Sequence, residues 1–281
     1  NKNQYEEGPN EYVAVRPELK KQIEELYRKH PEEARDSFGE DPFEVKNILK
    51  YWVFSEKPEF HVIPTDTINI HIDKDALLRS GIMLPKTIRH LKGEDLKDAI
   101  PDKLYIPLTD IRMLTKVDLL MLEMLANCNW ERPLYLAISV GSVSKLKFDN
   151  YFVQGGLAFR FTPFDYKKWG DVGENRLYAV DVERLYNNVM NRYKYGGLDT
   201  PGLYLDETTL RTCWYHRRLF AQLAKELIAQ GDNERAKKVL AYAEQVIPGY
   251  NVPETHESGS YDIATAYAAS VSYTHLRAHE T

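Results

Sequence analysis

The segment from residue 220 to 248 constrains the fold most, because large and small apolar residues recur there at the spacing of a two-helix repeat. A tetratricopeptide unit of about 34 residues needs large side chains where its two helices face each other and small ones where they approach closely. The large positions of the first helix are Phe220, Leu223 and Leu227, and Gly231 stands at the turn. The second helix and its end carry the small and closing residues of the repeat at Ala236, Leu240, Ala243 and Pro248. The segment predicts a packed helical hairpin in which Gly231 has a positive φ.

The helical pattern continues on both sides of this hairpin. Residues 261–267 restart the repeat, and Tyr267 follows Leu227 by 40 residues, so a longer loop would absorb the excess over about 34. Upstream, Asp206 is a predicted N-cap, and an earlier apolar stripe ends at a pair of glycines. The stripe consists of Val182, Leu185, Tyr186, Val189 and Tyr193, and the glycines are Gly196 and Gly197. Residues 179–270 are therefore predicted to be a tetratricopeptide-like helical region.

Residues 61–178 have a different period, and there we predict an α+β region. Residues 67–73 alternate polar and apolar side chains, which is typical of a half-buried strand. Residues 104–108 predict a second strand, at a sheet edge because Pro107 cannot donate a ladder hydrogen bond. Two further strands are predicted, a buried one over residues 133–139 and an alternating one over residues 157–162.

A buried helix is expected between these strands. Thr115 and Asp118 have the spacing of a capping box, and the helix that they open is apolar nearly all round, so we expect it to be central. Residues 1–60 are predicted to be a helical lead-in segment, with helices after Pro17 and over residues 42–53. The predicted fold class of the whole chain is α+β, mainly helical, with a small mixed sheet followed by tetratricopeptide-like α-hairpins.

Charge and composition exclude several classes of protein. The 281 residues carry a formal net charge of −5, so the chain has no cationic surplus for a phosphate backbone, and nucleic acid is not an expected partner. The longest apolar stretch, residues 119–126, is far shorter than the roughly 20 residues that span a bilayer.

Cys128 and Cys213 make neither a disulfide framework nor a zinc site by themselves. No phosphate loop, nucleophile elbow or HExxH motif is present, and we predict no cofactor and no metal ligand.

Both ends of the sequence are expected to differ from those of the natural protein. Asn1 is not an initiator methionine and no signal segment follows it, so we expect the natural chain to begin upstream. Residues 271–281 read VSYTHLRAHET, which is similar to the translation of a sequencing-library adapter. We interpret this tail as an artefact that takes no part in the fold, and we expect the natural chain to continue beyond residue 270.

Two polar segments are candidates for chemistry, and each has a structural alternative. Asp165, Asp171 and Glu174 cluster around a tryptophan, as in sites that hydrolyse glycosidic bonds, but a polar loop with a turn has the same composition. Residues 129–133 join the predicted helix to the predicted buried strand. In the structural alternative for this second segment, the tryptophan fills the core and the arginine neutralises helix-terminal carbonyls.

Four segments are specific in sequence. They read NCNWERPLY at residues 127–135, YFVQGGLAFR at residues 151–160, GGLD at residues 196–199, and YLDET leading into HRRLFA over residues 204–221. These segments resemble the soluble part that follows the membrane helices in a family of large bacterial membrane proteins, long labelled a domain of unknown function and grouped with transmembrane protein O-mannosyltransferases. The resemblance covers most of residues 16–270.

The resemblance implies an extracytoplasmic, periplasmic accessory region of a membrane-bound glycosyltransferase, tethered to the inner membrane in the parent protein and working with a lipid-linked sugar donor. In that family the sugar-transfer residues belong to the membrane domain, so no catalytic residue carries over and this region is expected to be non-catalytic. The implied partners are the protein's own membrane domain and a polypeptide or glycan acceptor. The candidate binding residues, all in the four segments, are Asn129, Trp130, Arg132, Asp206, His216 and Arg217.

Two alternatives from other classes remain open. One is a free-standing scaffold that binds a peptide or protein in the groove of the repeats. The other is a glycan hydrolase that uses the carboxylates between Asp165 and Glu174. Apolar stretches of membrane-spanning length upstream of Asn1 would favour the transferase, whereas a lone signal peptide or lipid-attachment site would favour the scaffold.

Overall fold

The computed structural model describes residues 12–140, 146, 148–173 and 178–279, with the backbone alone for residues 271–279. The chain forms two compact units that alternate along the sequence. The first unit comprises Asn1–Leu134, Val140–Tyr151 and Phe161–Leu177, and the second comprises Tyr135–Ser139, Phe152–Arg160 and Tyr178–Thr281. None of the described helices is both long and apolar enough to cross a membrane.

The first unit is built from short helices and two small sheets. Its strands are β1 (Tyr12–Val15), β2 (Val62–Ile63), β3 (Thr67–His71), β4 (Lys103–Pro107) and β5 (Met113–Thr115). Its α-helices are α1 (Lys20–Lys29), α2 (Pro31–Phe38), α3 (Val45–Ile48), α4 (Lys74–Arg79), α5 (Gly93–Ala99) and α6 (Lys116–Asn127). The helix predicted over residues 42–53 begins at Val45 and continues after α3 as a π-helical segment, Leu49–Val53.

One sheet of the first unit is mixed in direction and the other is antiparallel. One has the order β2–β1–β5, with β1 parallel to β2 and antiparallel to β5, where Val13 lies opposite Leu114. The other is the antiparallel pair β3–β4, in which Thr67 lies opposite Pro107. Pro107 is the last residue of a strand that pairs on one side with β3, so its missing N–H costs no ladder bond, as the sequence predicted.

A capping box opens α6, as predicted. The Asp118 backbone N–H donates to Thr115 Oγ1 at 3.3 Å, and the Thr115 backbone N–H donates to Asp118 Oδ2 at 2.8 Å. Both orphan N–H groups at the helix start are therefore satisfied, which fixes where the chain changes from β5 to helix.

The expectation that α6 is buried all round is wrong on one side. Leu119, Leu122 and Leu125 are buried, where the helix packs against α3 and β3. Leu120 and Met124 are 45% and 51% exposed. A hydrophobic sequence shows that a helix tolerates burial, but the number of neighbouring elements decides how many of its sides are covered.

The second unit joins a four-stranded sheet to long helices. Its strands, in the order β6–β8–β7–β9, are β6 (Tyr135–Ala137), β7 (Phe152–Gln154), β8 (Ala158–Phe161, whose last residue belongs to the first unit) and β9 (Ala179–Val180). Its helices are α7 (Val182–Asn187), which continues as the π segment Asn188–Arg192, then α8 (Glu207–Ala229), α9 (Asn233–Val246) and α10 (Ser260–His279).

The strand predicted over residues 133–139 is shorter and less buried than expected. It forms β6 at the edge of the sheet, antiparallel to β8, with Tyr135 opposite Arg160. Tyr135 is 54% exposed, and none of the three residues of β6 is buried. An edge strand has a neighbour on one side only, which a short apolar run in the sequence does not reveal.

The predicted hairpin is formed by α8 and α9. Gly231 lies in the turn with φ +81°, as predicted, and the Asp232 N–H after it donates to the Leu227 carbonyl at 2.9 Å. Ala236 is completely buried in α9, whereas Lys238 is exposed. Helix α10 packs against both helices of the hairpin. The apolar core contains Leu185, Val189, Phe220, Leu223, Ala224, Leu227, Val239, Leu240, Val252 and Ala266.

These elements confirm the predicted α+β fold class, mainly helical with small mixed sheets. The assignment of the hairpin to tetratricopeptide repeats stays a prediction, as do the domain limits after residues 60, 178 and 270. The backbone of α10 continues through Val271 to His279.

Candidate functional site

The turn after α6 has an uncommon backbone and carries three of the candidate binding residues. Asn129 and Trp130 are consecutive residues with positive φ, +47° and +61°. This conformation is uncommon for residues other than glycine, so neighbouring contacts must hold it. Trp130 is 6% exposed, its Nε1–H donates to the His71 carbonyl at 2.7 Å, and its ring lies nearly parallel to Phe161 at 6.3 Å. Trp130 is therefore the anchor of this turn and not one of its exposed groups.

The other two candidates in the turn face solvent. Asn129 is exposed, and its Oδ1 accepts a hydrogen bond from Lys46 Nζ at 3.1 Å. Arg132 is exposed too, and its backbone N–H donates to the Cys128 carbonyl at 3.4 Å. The backbone N–H of Arg132, and not its charged side chain, therefore contacts a carbonyl at the helix end, and the residue is exposed.

Asp206 is the N-cap of α8, as the sequence predicted. Its Oδ1 accepts from the backbone N–H groups of Thr208 and Thr209 at 2.8 and 3.1 Å, and its Oδ2 accepts from Thr209 Oγ1 at 2.6 Å. These bonds, above all the one from the Thr209 hydroxyl, hold the pKa of Asp206 below its usual value. Asp206 therefore acts as a helix cap, and its oxygens are already used.

Arg217 is buried inside the second unit, at 5% exposure. Its guanidinium donates to the carbonyls of Val252, Ile247 and Pro253 at 2.7, 3.3 and 3.5 Å, and to Ser260 Oγ at 3.3 Å. Burial lowers the pKa of Arg217, but an arginine stays charged in proteins. Nη1 and Nη2 donate to the loop between α9 and α10 and to the first residue of α10, so Arg217 organises that loop and is not available to a ligand.

His216 belongs to a group of rings on the second unit that we call the aromatic cluster, formed by Tyr193, Tyr195, His216, Phe220 and Tyr242. The imidazole ring packs nearly perpendicular to the rings of Tyr193 and Tyr195, with centroid distances of 5.7 and 5.4 Å. Burial lowers the pKa of His216, so the ring is neutral at pH 7. Apart from Phe220, which is buried, the cluster is half-buried, and it could present ring faces to a ligand.

Sequence reasoning did not identify the residues that hold this cluster against the sheet. The Leu157 N–H donates to the Tyr193 hydroxyl at 2.9 Å, and Asn188 Nδ2 donates to the Gly155 carbonyl at 2.6 Å. A Cβ at Gly156 would lie 2.0 Å from Tyr193 Oη, so this glycine is required by close approach. The glycine pair at residues 155 and 156 is visible in the sequence. Its partner Tyr193 lies far along the chain, so no local pattern connects the two.

A second contact that the sequence did not reveal fixes the loop before α8. Asn251 Nδ2 donates to the carbonyls of Leu198 and Thr200 at 2.7 and 2.6 Å, and the Tyr250 hydroxyl donates to the Asp199 carbonyl at 2.5 Å. Arg217 holds one side of the loop that carries these two side chains. The GGLD segment is therefore positioned by a chain of hydrogen bonds that begins at a buried guanidinium.

The carboxylates of the hydrolase alternative are used as turn anchors. Asp165 Oδ1 accepts from the backbone N–H groups of Lys167 and Lys168, both at 3.2 Å. Both oxygens of Asp171 accept from the Lys86 N–H, at 3.1 and 3.2 Å, and Arg89 donates to Asp171 at 3.4 Å. Glu174 lies outside the described residues. Each of the two described carboxylates thus satisfies backbone donors.

The six candidate residues form two separate groups. Asn129, Trp130 and Arg132 are in the first unit, whereas Asp206, His216 and Arg217 are in the second. Asp206 precedes His216 by ten residues on one helix, which is a rise of about 15 Å. No group of three or more metal-ligating side chains is present among the residues described.

Comparison with known protein families gives a match to more than half of the chain. Residues 1–183 match the family model described as TMEM260-associated domain 2. The match covers all three segments of the first unit, the sheet of the second unit and the start of α7. No curated protein and no solved structure matches the chain.

Proposed function

The chain belongs to the TMEM260-associated domain 2 family, and on this premise we propose that it is the accessory region of a membrane-bound, protein O-mannosyltransferase-like glycosyltransferase. In this proposal the region lies on the extracytoplasmic side and positions an acceptor or the enzyme's own membrane domain, while sugar transfer from a lipid-linked donor takes place elsewhere in the parent protein. The observation that carries the proposal is the family match over residues 1–183.

The turn after α6 supports a binding role within the matched residues. Asn129 and Arg132 face solvent next to a tryptophan that is held by a hydrogen bond and by stacking. A polar group on a rigid backbone loses little conformational entropy on binding, which favours recognition. We therefore assign Asn129 and Arg132 as contact residues, with Trp130 as the residue that positions them.

The carboxylates support a non-catalytic role. Asp165 and Asp171 both accept from backbone N–H groups, and the Asp171 side chain is only 2% exposed. A pair of catalytic carboxylates must reach the glycosidic bond from both sides, with one of them available as an acid. Carboxylates that fix turns in this way do not meet that requirement.

The test uses the parent membrane protein in isolated membranes. Transfer of labelled mannose from a lipid-linked donor is measured with a short acceptor peptide and with a folded acceptor protein. We expect removal of residues 12–270 to lower transfer to the folded protein at least tenfold and to leave transfer to the peptide within about twofold, since binding energy from remote contacts acts only on the larger acceptor. Unchanged transfer to both acceptors would contradict an accessory role.

A point variant makes the test independent of a large deletion. Arg132→Ala should raise the KM for the folded acceptor several-fold at unchanged kcat. Arg112→Ala is the matched control, because it removes an exposed arginine from the same unit. An equal change of KM in the two variants would show that the α6 turn does not contact the acceptor. The deletion experiment would then be the remaining test of the accessory role.

A second function, a peptide-binding scaffold, is favoured by the aromatic cluster on the second unit. Half-buried tyrosines and a neutral histidine beside a helical hairpin are groups that contact peptides well. Binding of a peptide library by the isolated chain, lost in Tyr242→Ala and retained in Tyr261→Ala, would support this function. Tyr261 is the control because it lies on α10, is 74% exposed and is not part of the cluster.

A further inference from the structure

One surface of the first unit is cationic although the whole chain carries a net charge of −5. Residues 79–92 contain no acidic residue, and acidic residues resume at Glu94, which pairs with Lys97 at 3.6 Å. Lys86, Arg89, His90 and Lys92 in this segment are all exposed. The segment therefore concentrates positive charge on the outside of an acidic protein.

A second loop is fastened to this segment. The Tyr166 hydroxyl donates to the Met83 carbonyl, and the Lys86 N–H and the Arg89 guanidinium donate to Asp171. The loop between Tyr166 and Asp171 adds Lys168, whose side chain is 80% exposed, and the half-buried Trp169. The two loops thus form one surface, which we call the cationic face: Lys86, Arg89, His90, Lys92, Lys168 and Trp169.

The negative charges at this surface point inward. The Asp171 side chain is 2% exposed and that of Asp165 is 11% exposed, and both accept hydrogen bonds from backbone N–H groups. The Lys168 ammonium lies 3.6 Å from Asp165 Oδ2, but its side chain is 80% exposed, and Lys86 and Lys92 are exposed as well. Burying the carboxylates under the loops while exposing the lysines gives the surface an outward positive potential.

We propose that the cationic face rests on an anionic lipid surface. Its cations are spread over two loops and the Lys168 side chain is largely exposed, so it lacks the enclosed geometry that would hold a single small anion. Clusters of lysine and arginine bind anionic membranes additively, and tryptophan prefers the interface between headgroups and hydrocarbon. Trp169 follows Lys168 in the chain and is half-buried, with its ring in an edge contact with Phe164 at 5.9 Å.

This inference goes beyond the proposed function, because it concerns the isolated chain and needs no sugar transfer. It predicts that the chain binds vesicles of phosphatidylcholine with about one third phosphatidylglycerol, and binds vesicles of phosphatidylcholine alone far less. Sedimentation of the chain with vesicles measures the partition coefficient. The difference between the two vesicles should fall steeply with added salt, because screening acts over about 10 Å at 0.1 M.

Charge variants test whether the cationic face makes the contact. The triple variant Lys86→Gln, Lys92→Gln, Lys168→Gln should lower the partition coefficient about 100-fold, since each basic residue near the surface contributes about fivefold. The control triple Lys21→Gln, Lys194→Gln, Lys238→Gln changes the net charge equally at exposed positions elsewhere. It should lower binding by less than about fivefold.

A quenching measurement reports the position of Trp169 independently of charge. Lipids brominated near the headgroup should quench part of the tryptophan fluorescence of the bound chain, and Trp169→Phe should remove that quenching. Trp52 and Trp130 are buried and serve as an internal unquenched background.

Three results would overturn the proposal. The first is equal binding to both kinds of vesicle, and the second is equal loss in the two triple variants. The third is binding to a sulfated polysaccharide, lost in the Lys86, Lys92 and Lys168 variant, without any binding to vesicles. That third result would assign the cationic face to a soluble polyanion instead of a lipid surface.

Discussion

The two units fix their loops with side chains of opposite charge. In the first unit, the carboxylates of Asp165 and Asp171 accept from backbone N–H groups of nearby turns. In the second unit, the guanidinium of Arg217 donates to the carbonyls of Ile247 and Val252. A short acceptor is enough to bind N–H groups that converge in a turn, whereas several carbonyls need a long donor with a fork of N–H groups.

Charge beside an aromatic ring therefore does not by itself identify a functional site. Asp171 and Arg217 both had the sequence context of a reactive or binding group, and both are satisfied inside their own unit. The side chains left available, Asn129 and Arg132 in one unit and the aromatic cluster in the other, have no such charged anchor role. Four experiments test this contrast between the units, in order of decreasing change.

Removing the buried guanidinium should have the largest effect. Arg217→Met should lower the free energy of unfolding by about 3–4 kcal/mol, because several buried carbonyls lose their donor at about 1–3 kcal/mol each. Denaturant unfolding measures the change. Arg211→Met on the same helix is the control, since Arg211 makes only an exposed pair with Glu207, and it should cost about 0.5 kcal/mol or less. If Arg217→Met lowers the free energy of unfolding no more than Arg211→Met does, the buried guanidinium does not fix the loop of the second unit.

Removing the buried carboxylate should cost somewhat less. Asp171→Ala should lower the free energy of unfolding by about 2–3 kcal/mol, whereas Asp171→Asn should cost about 1 kcal/mol because an amide oxygen still accepts the Lys86 N–H. The same preparations should show no hydrolysis of glycosides and no mannose transfer. Turnover that is present in the unsubstituted chain and absent in Asp171→Asn would restore the hydrolase.

The packing of the second unit depends on its hairpin. Ala236→Leu should cost about 1–3 kcal/mol, because the completely buried site has no room for a larger side chain. Gly231→Val should cost about 1 kcal/mol or more, since φ is +81° there. Lys238→Ala should be nearly neutral. Similar denaturant midpoints for Ala236→Leu and Lys238→Ala would mean that the hairpin is not packed in this way.

The smallest effect concerns pH. The lowered pKa of His216 keeps it neutral in the native state, while in the unfolded chain it takes up a proton below about pH 6.5. Above about pH 6.5, His216 is neutral in both states and does not lower the free energy of unfolding. As the pH falls from there toward the native pKa, the unfolded chain binds a proton that the native ring does not, and the free energy of unfolding decreases. His216→Phe should flatten the decrease of unfolding free energy over that window, and His90→Gln controls for the loss of an exposed histidine. An unchanged slope in His216→Phe would show that the ring is solvated.

Local features were predictable from the sequence, and contacts between distant segments were not. The capping box at Thr115, the N-cap at Asp206 and the turn at Gly231 depend on a few adjacent residues, so the pattern specifies them. The role of Arg217 depends on carbonyls at least 30 residues away, which no local pattern contains. The positive φ values at Asn129 and Trp130 were also not predictable, because the tryptophan that anchors this turn donates to the His71 carbonyl, 59 residues away.

The alternation of the two units along the chain has a consequence for how the protein can be divided and how it folds. The polypeptide passes between the units five times between Leu134 and Tyr178. A fragment that begins at residue 179 would contain the helices of the second unit without β6, β7 and β8, and a fragment that ends at residue 177 would carry those strands without their helices. No single cut yields a complete unit. During synthesis, the sheet of the second unit cannot close until β9 has emerged, so we expect the two units to complete their folding together.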